Sequence, residues 1–247
     1  MLLRRMFARK WLLATLLVLA GTAVCIRLGI WQLDRLAERR QFNAQVQDMR
    51  SQPPLQLDAS SAQQLDHMEW RAVHVQGSYD FEHQVAIRNQ YNGSQYGYHL
   101  LTPLRFGEEA ILVDRGWIPA NGNATPTAWY QYDEAGQVDL TGQIRLGHPK
   151  PALGGIADEI PTDGSSLSIW NNADLAQIAA QIPYPILPVY IQQAPIEGDE
   201  MPPIPFQPEL DLSEGPHMGY AVQWFTFATI LFVGYPFFLK KQEQRSL

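Results

Sequence analysis

MGYAVQWFTFATILFVGYPFFL, residues 218–239, is a run of 22 residues without a charge. As a helix it is about 33 Å long, against roughly 30 Å of membrane hydrocarbon. It is apolar on every face, whereas a helix packed at the edge of a soluble core keeps one polar face. The run predicts a membrane span. Pro236 stands near its end, where a kink affects only the last turn.

A second apolar run lies near the other end of the chain. Residues 11–26 carry no charge, and the apolar character continues past Arg27 through Leu28, Ile30 and Trp31. That makes about 20 residues, enough to span, and Arg27 can snorkel to the headgroups. The competing reading is a cleaved signal peptide, with Arg4, Arg5, Arg9 and Lys10 as its basic region and Gly21-Thr22-Ala23 as a small-residue cleavage site. Cys25 reads as an apolar helix residue rather than a lipid acceptor.

Orientation follows from the charges around the second span. Lys240, Lys241 and Arg245 follow it, while 197–214 carries six acids and no base, which places both termini in the cytoplasm. With −7 on the whole chain and +6 on the two tails, the middle carries −13. That charge speaks against a nucleic-acid partner. The expected organisation is a tail at 1–10, a span at 11–31, an extracytoplasmic domain at 32–216, a span at 217–239 and a tail at 240–247, in a bacterial-type inner membrane.

Between the spans the hydrophobic period changes. Leu33, Leu36, Phe42 and Val46 extend the first helix out of the membrane until Pro53-Pro54 ends it. From Trp70 the period is two, which predicts strands at 70–76, ending at Gly77, and at 84–89. Strands at 96–106 and 110–118 flank a Gly107-Glu108 turn. Further strands are expected at 138–146, 167–170 and 188–193. Residues 173–182 have an amphipathic helical pattern, with Asn171 or Asn172 as cap and Pro183 as stop. The fold class is therefore membrane-anchored and mainly β: two transmembrane helices flanking an antiparallel barrel or sandwich with one short helix. Residues 195–216, with six prolines and six acids, read as a semi-extended linker.

Catalytic signatures are missing. The sequence has no phosphate loop, dinucleotide fingerprint, His-Glu-x-x-His or nucleophile elbow, so no enzyme is expected. A single cysteine excludes a paired-thiolate copper carrier. His67, His74, His83, His99 and His148 are scattered over strands and turns, as surface or hydrogen-bonded imidazoles are. Arg115 beside Asp114 suggests a local ion pair or a contact with a partner protein.

His217 differs by position. It follows Pro216 at the outer mouth of the second span, where an ionisable residue needs a reason. Tyr220, Ala221 and Trp224 share its face at three, four and seven residues, a wall on which a flat macrocycle can lie. A haem suits that depth, with an apolar ring, propionates that seek bases such as Arg27 or Arg35, and an iron that takes a neutral imidazole. The plainer reading is an interfacial aromatic belt. Gln223, on a neighbouring face, reads as a helix-helix hydrogen bond.

Five motifs in order resemble the surfeit locus protein family of cytochrome c oxidase assembly factors. They are Leu28-Gly29-Ile30-Trp31-Gln32 with Arg35, then Gly77-Ser78-Tyr79, then GYHLLTPL at 97–104, LVDRGWIP at 112–119 and HMGYAVQWF at 217–225. Asp114 stands where that family more often has Asn. The resemblance covers nearly the whole chain and is thinnest over 121–214. It implies a factor that works with the catalytic subunit of a haem-copper oxidase and with other assembly factors in the lipid bilayer, handling haem a. His217 would be the axial ligand, with Tyr220, Trp224, Trp31 and Arg35 around the cofactor. The alternative is a scaffold that steadies an assembly intermediate without a cofactor.

Overall fold

The computed structural model describes residues 6–58, 65–149, 155–161, 163, 165–198 and 201–244. Arg4, Arg5 and Arg245 of the basic tails, and Asp199 and Glu200 of the acidic segment, lie outside the described residues. Along the chain come α1 (Leu12–Ser51), β1 (Leu55–Gln56), β2 (Ala72–Tyr79), β3 (Val85–Asn92), β4 (Gln95–Phe106), β5 (Glu109–Pro119), β6 (Gln137–Leu146), β7 (Ile169–Trp170), α2 (Leu175–Ala179), β8 (Ile186–Gln193) and α3 (His217–Gln244). They divide into two compact units, one of Met1–Gln45 with Asp211–Leu247, the other of Val46–Leu210.

The first unit is a pair of helices. Thr15, Thr22, Cys25, Gln32, Leu36 and Asn43 are buried along α1, and Ala221, Ala228, Tyr235 and Leu239 along α3. Both sets follow the three-four spacing of a coiled-coil seam. The seam is rich in small residues, which let helix backbones approach in lipid. A Cβ at Gly29 would sit 2.8 Å from the Phe225 ring, so this glycine makes room for that ring. Deeper along the pair, Thr15 Oγ1 and the Tyr235 hydroxyl share a buried 2.7 Å hydrogen bond. Thr15 also donates to the Met6 carbonyl at 2.6 Å, so Tyr235 is the donor between the helices.

Away from the seam, Leu13, Leu17, Ile230, Phe232 and Phe237 are all exposed. Both helices are long and apolar enough to cross a membrane, and little of either apolar stretch is buried. Lipid, not water, matches such faces, and the chain is membrane-associated. α3 continues two turns past Pro236 to Gln244, so this proline lies inside the helix rather than in its last turn.

The second unit is a barrel. Strands β2, β6, β8, β5 and β4 lie side by side, and β4 returns to β2 through Ser78↔Arg105 and Tyr79↔Leu104. Gly77 does not break β2. A Cβ there would lie 2.5 Å from the Arg105 carbonyl oxygen, so this glycine permits the closure. β3 takes the other half of the β4 edge. The pairs β1–β2, β3–β7 and β5–β8 are parallel; the remaining pairs are antiparallel.

Alternate residues of the strands fill the interior, among them Val75, Leu104, Ile111, Val113, Ile144 and Ile191. On the outer face, Ile87, Leu101 and Leu112 pack with Trp170 and with Leu175 and Ile178 of α2. The cap of α2 is Asp174, which accepts from Gln177 N at 3.2 Å. Asn171 and Asn172 are held elsewhere, by the Asp158 carboxylate.

Residues 201–208 are not a free linker. Ile204 exchanges two backbone hydrogen bonds with Trp117, at 2.8 and 2.9 Å, and Gln207 Nε2 donates to the Gln192 carbonyl at 3.0 Å. Gly116, at φ 118°, allows the approach: a Cβ there would stand 2.2 Å from the Ile204 carbonyl oxygen. Prolines keep the segment extended, and these bonds fix it to the barrel.

Candidate functional site

α3 begins at His217, where Pro216 contributes the first helical carbonyl, accepting from Tyr220 N at 3.1 Å. His217 is half-buried, and its Nδ1 lies 2.8 Å from Oε1 of Gln32, a buried residue of α1. The amide oxygen only accepts, so Nδ1 carries the proton. Nε2 has no partner among the described residues. A ring whose Nδ1–H is held in this way presents its Nε2 lone pair to a metal, the arrangement that orients histidine ligands in metalloproteins.

The chain entering α3 is tied to α1 by charge. Arg40 grips the Glu214 carboxylate through Nε and Nη2, at 2.7 and 2.9 Å. Arg39 Nε donates to the Ser213 carbonyl at 3.1 Å, and Asn43 to that of Leu212. These contacts hold the turn that sets the position of His217.

The structure places the other expected site residues unevenly. Ala221 is buried in the seam beneath His217, and Trp224 is half-buried with its ring edge-on to Phe227. Tyr220 and Trp31 are exposed, and Arg35 is exposed and paired with Glu38. Arg27 is exposed as well. Gln223 is exposed and does not join the helices; Gln32 makes the polar link at this level. The partnership of Gln32 with His217 spans 185 residues, and the only sequence signal for it was the position of Gln32 inside a helix-end motif.

The residues present fit a haem. The fit rests on a half-buried imidazole with a fixed tautomer and an Nε2 without a partner among the described residues, aromatic side chains on the same two helices, and cationic side chains on α1.

The barrel unit sorts the remaining motifs. Asp114 does not pair with Arg115. The register from Leu100↔Gly116 to Leu101↔Asp114 leaves Arg115 as the extra residue of a bulge. Its side chain is 1% exposed and lies near the rings of Tyr79 and Phe81, 5.0 and 5.1 Å from their centroids. It donates to Gln84 Oε1 at 3.2 Å, to Glu134 at 2.7 Å and to the Tyr132 carbonyl. Asp114 instead receives His99 Nδ1, at 2.9 Å, and the Gly116 N–H, at 3.0 Å. Burial alone would push the His99 imidazolium down, but the Asp114 charge and hydrogen bond outweigh it, and its pKa is raised. His74 pairs with Asp139 and His83 with Asp80, the hydrogen-bonded roles expected of scattered imidazoles. Among the described residues no cluster of three or more His, Cys, Asp or Glu is placed to hold a metal ion.

Comparison with known proteins agrees with this layout. Residues 19–229 match the SURF1 family. The SURF1-like protein of Caenorhabditis briggsae is 25% identical over 245 residues, covering 90% of this chain and 74% of the relative. That of Rickettsia bellii is 24% identical, covering 94% and 93%. A SURF1-like protein of Mycobacterium bovis is 27% identical, covering 92% and 83%.

Proposed function

The chain belongs to the SURF1 family, and on that footing we propose that it is an assembly factor for a haem-copper oxidase, holding haem a at His217 on its way to the catalytic subunit. The observation that carries this reading is the His217 Nδ1 hydrogen bond to Gln32, which leaves Nε2 free as a ligand. When bound, the group would supply an iron that takes an imidazole and a macrocycle that lies on apolar surface. Trp224, Tyr220 and Trp31 supply aromatic surface. Arg35 and Arg27 supply charge for the propionates, Arg35 by exchanging its contact with the exposed Glu38.

The two helices anchor the factor in the inner membrane with both termini cytoplasmic. The barrel unit, outside the cytoplasm, meets the oxidase subunit and other assembly factors. The basic residues after the second span and the acidic stretch before it support that orientation.

The test is to purify the full chain in mild detergent from cells that make haem a, and to measure both extracted pigment and associated oxidase subunits. The expected result is haem a on the native chain, lost in His217→Ala while the subunits remain associated. A colourless native protein that still carries the subunits would replace this reading with the scaffold.

A further inference from the structure

On the outer face of the barrel unit lies a cavity of about 580 Å³, lined by residues of β3, β4, β5 and β8, by His148 and residues 171–173, and by Phe206 and Pro208 of the docked segment. Its size is that of a small-molecule site. The haem reading makes no use of it.

Three polar side chains in its lining are largely buried, and each has a donor without a protein partner among the described residues. His99 is 8% exposed, and its Nδ1 is held by Asp114, so Nε2 is the nitrogen left for the cavity. Gln192 is also 8% exposed. Its Oε1 accepts from Arg145 Nη1 at 3.3 Å; an arginine only donates, so the Gln192 amide nitrogen is turned away from it and has no partner among the described residues. The Tyr190 hydroxyl likewise has none there, and burial with the nearby Asp114 charge pushes its pKa up to about 12, so it keeps its proton.

The three donors stand on β4 and β8, which flank β5. Asp114 of β5 is in register with Leu101 of β4 and Gln192 of β8, and with about 4.8 Å between adjacent strands the donors converge on the cavity from strands about 10 Å apart. These donors face the cavity, where water reaches them, and a ligand rich in acceptor oxygens can take the place of that water on all three. The Asp114 carboxylate is already engaged by His99 Nδ1 and Gly116 N, which lessens its repulsion of such a ligand. Ile87, Leu101 and Phe206 provide apolar wall.

We propose that this cavity binds an organic carboxylate, with its oxygens accepting from His99 Nε2, Gln192 Nε2 and the Tyr190 hydroxyl and its apolar body lying on Ile87, Leu101 and Phe206. Such a ligand also touches the segment pinned by Ile204 and Gln207, and binding tightens that segment against the barrel.

The probe is 3-methylbutanoate, with the isosteric 3-methylbutanamide as control, titrated into the full chain in detergent at pH about 6. Two readouts serve: the imidazole nitrogen signal absent from His99→Gln, and amide hydrogen exchange over 204–208. The expected result is a saturable shift of that signal with slowed exchange, about tenfold weaker for the amide. Tyr190→Phe, which removes a hydroxyl and no volume, and Gln192→Leu should each weaken binding several-fold to tenfold with unchanged melting for the former. A non-saturating response, or equal affinity for acid and amide, overturns the proposal, as does a Tyr190→Phe and Gln192→Leu pair that binds like the native chain.

Discussion

The imidazole of His217 and the amide of Gln32, 185 residues apart, meet at 2.8 Å, Nδ1 donating to Oε1. The bond fixes the tautomer and directs the ring. Gln32→Leu removes the acceptor while keeping comparable bulk in the seam. We expect it to lower haem affinity about 10- to 100-fold, the scale of lost outer-shell partners, with Gln32→Glu retaining most of it. A haem a titration of each detergent-purified variant measures this; unchanged affinity in Gln32→Leu would show that the bond does not prepare a ligand.

Arg115 is a buried cation held by several partners at once. Removing the charge in Arg115→Leu strands Glu134, Gln84 and the Tyr132 carbonyl and empties the space beside Tyr79 and Phe81. The expected cost is about 3–5 kcal/mol, read from the urea midpoint of the full chain followed by near-ultraviolet circular dichroism. Glu134→Gln, altering a 57% exposed partner, should cost under about 1 kcal/mol. Equal effects of the two changes would contradict the assignment of Arg115 as the centre of the cluster.

Much of this architecture was legible from local chemistry. The β4–β5 hairpin falls at Gly107, whose φ is 65°, and α1 stops at Ser51 before Pro53-Pro54. What local chemistry could not show depends on distant chain. Gly77 looked like a strand end because its neighbour, the Arg105 carbonyl, lies on β4. Asn171 and Asn172 looked like caps, but Asp158 competes for them and leaves the cap to Asp174. The Asp114-Arg115 pairing failed because the bulge sends adjacent side chains to different partners. At the start of α3, His217 stood out by position, whereas Gln32 and the docking of residues 211–214 by Arg39, Arg40 and Asn43 required the packed helix pair.

The helix pair rests on close contact at Gly29 and on the Thr15–Tyr235 hydrogen bond. Tyr235→Phe should cost about 0.6 kcal/mol, as interhelical hydrogen bonds in lipid do on average. Gly29→Leu must displace the Phe225 ring, which a Cβ alone would approach to 2.8 Å, and should cost more, about 1–3 kcal/mol. Thermal unfolding in detergent, followed by helical circular dichroism, ranks the two; a Gly29→Leu chain as stable as native would contradict the close packing.

His99 makes stability depend on pH. Its folded pKa is raised, so its contribution is complete below the unfolded value of about 6.5 and is lost as pH rises through the folded value. The melting temperature of the native chain should therefore fall across that window relative to Asp114→Asn, which keeps an acceptor for Gly116 N but removes the charge. Parallel pH profiles for the two proteins would rule the pair out as the source.

Ligation of the iron by His217 is open to chemical rescue. Full-length native protein and His217→Gly are each mixed with haem a in detergent, and absorption spectra are recorded with and without free imidazole. The expected result is a ligated spectrum for the native chain, its loss in the glycine variant, and its return when imidazole is added. The same ligated spectrum in His217→Gly without imidazole would show that another residue holds the iron.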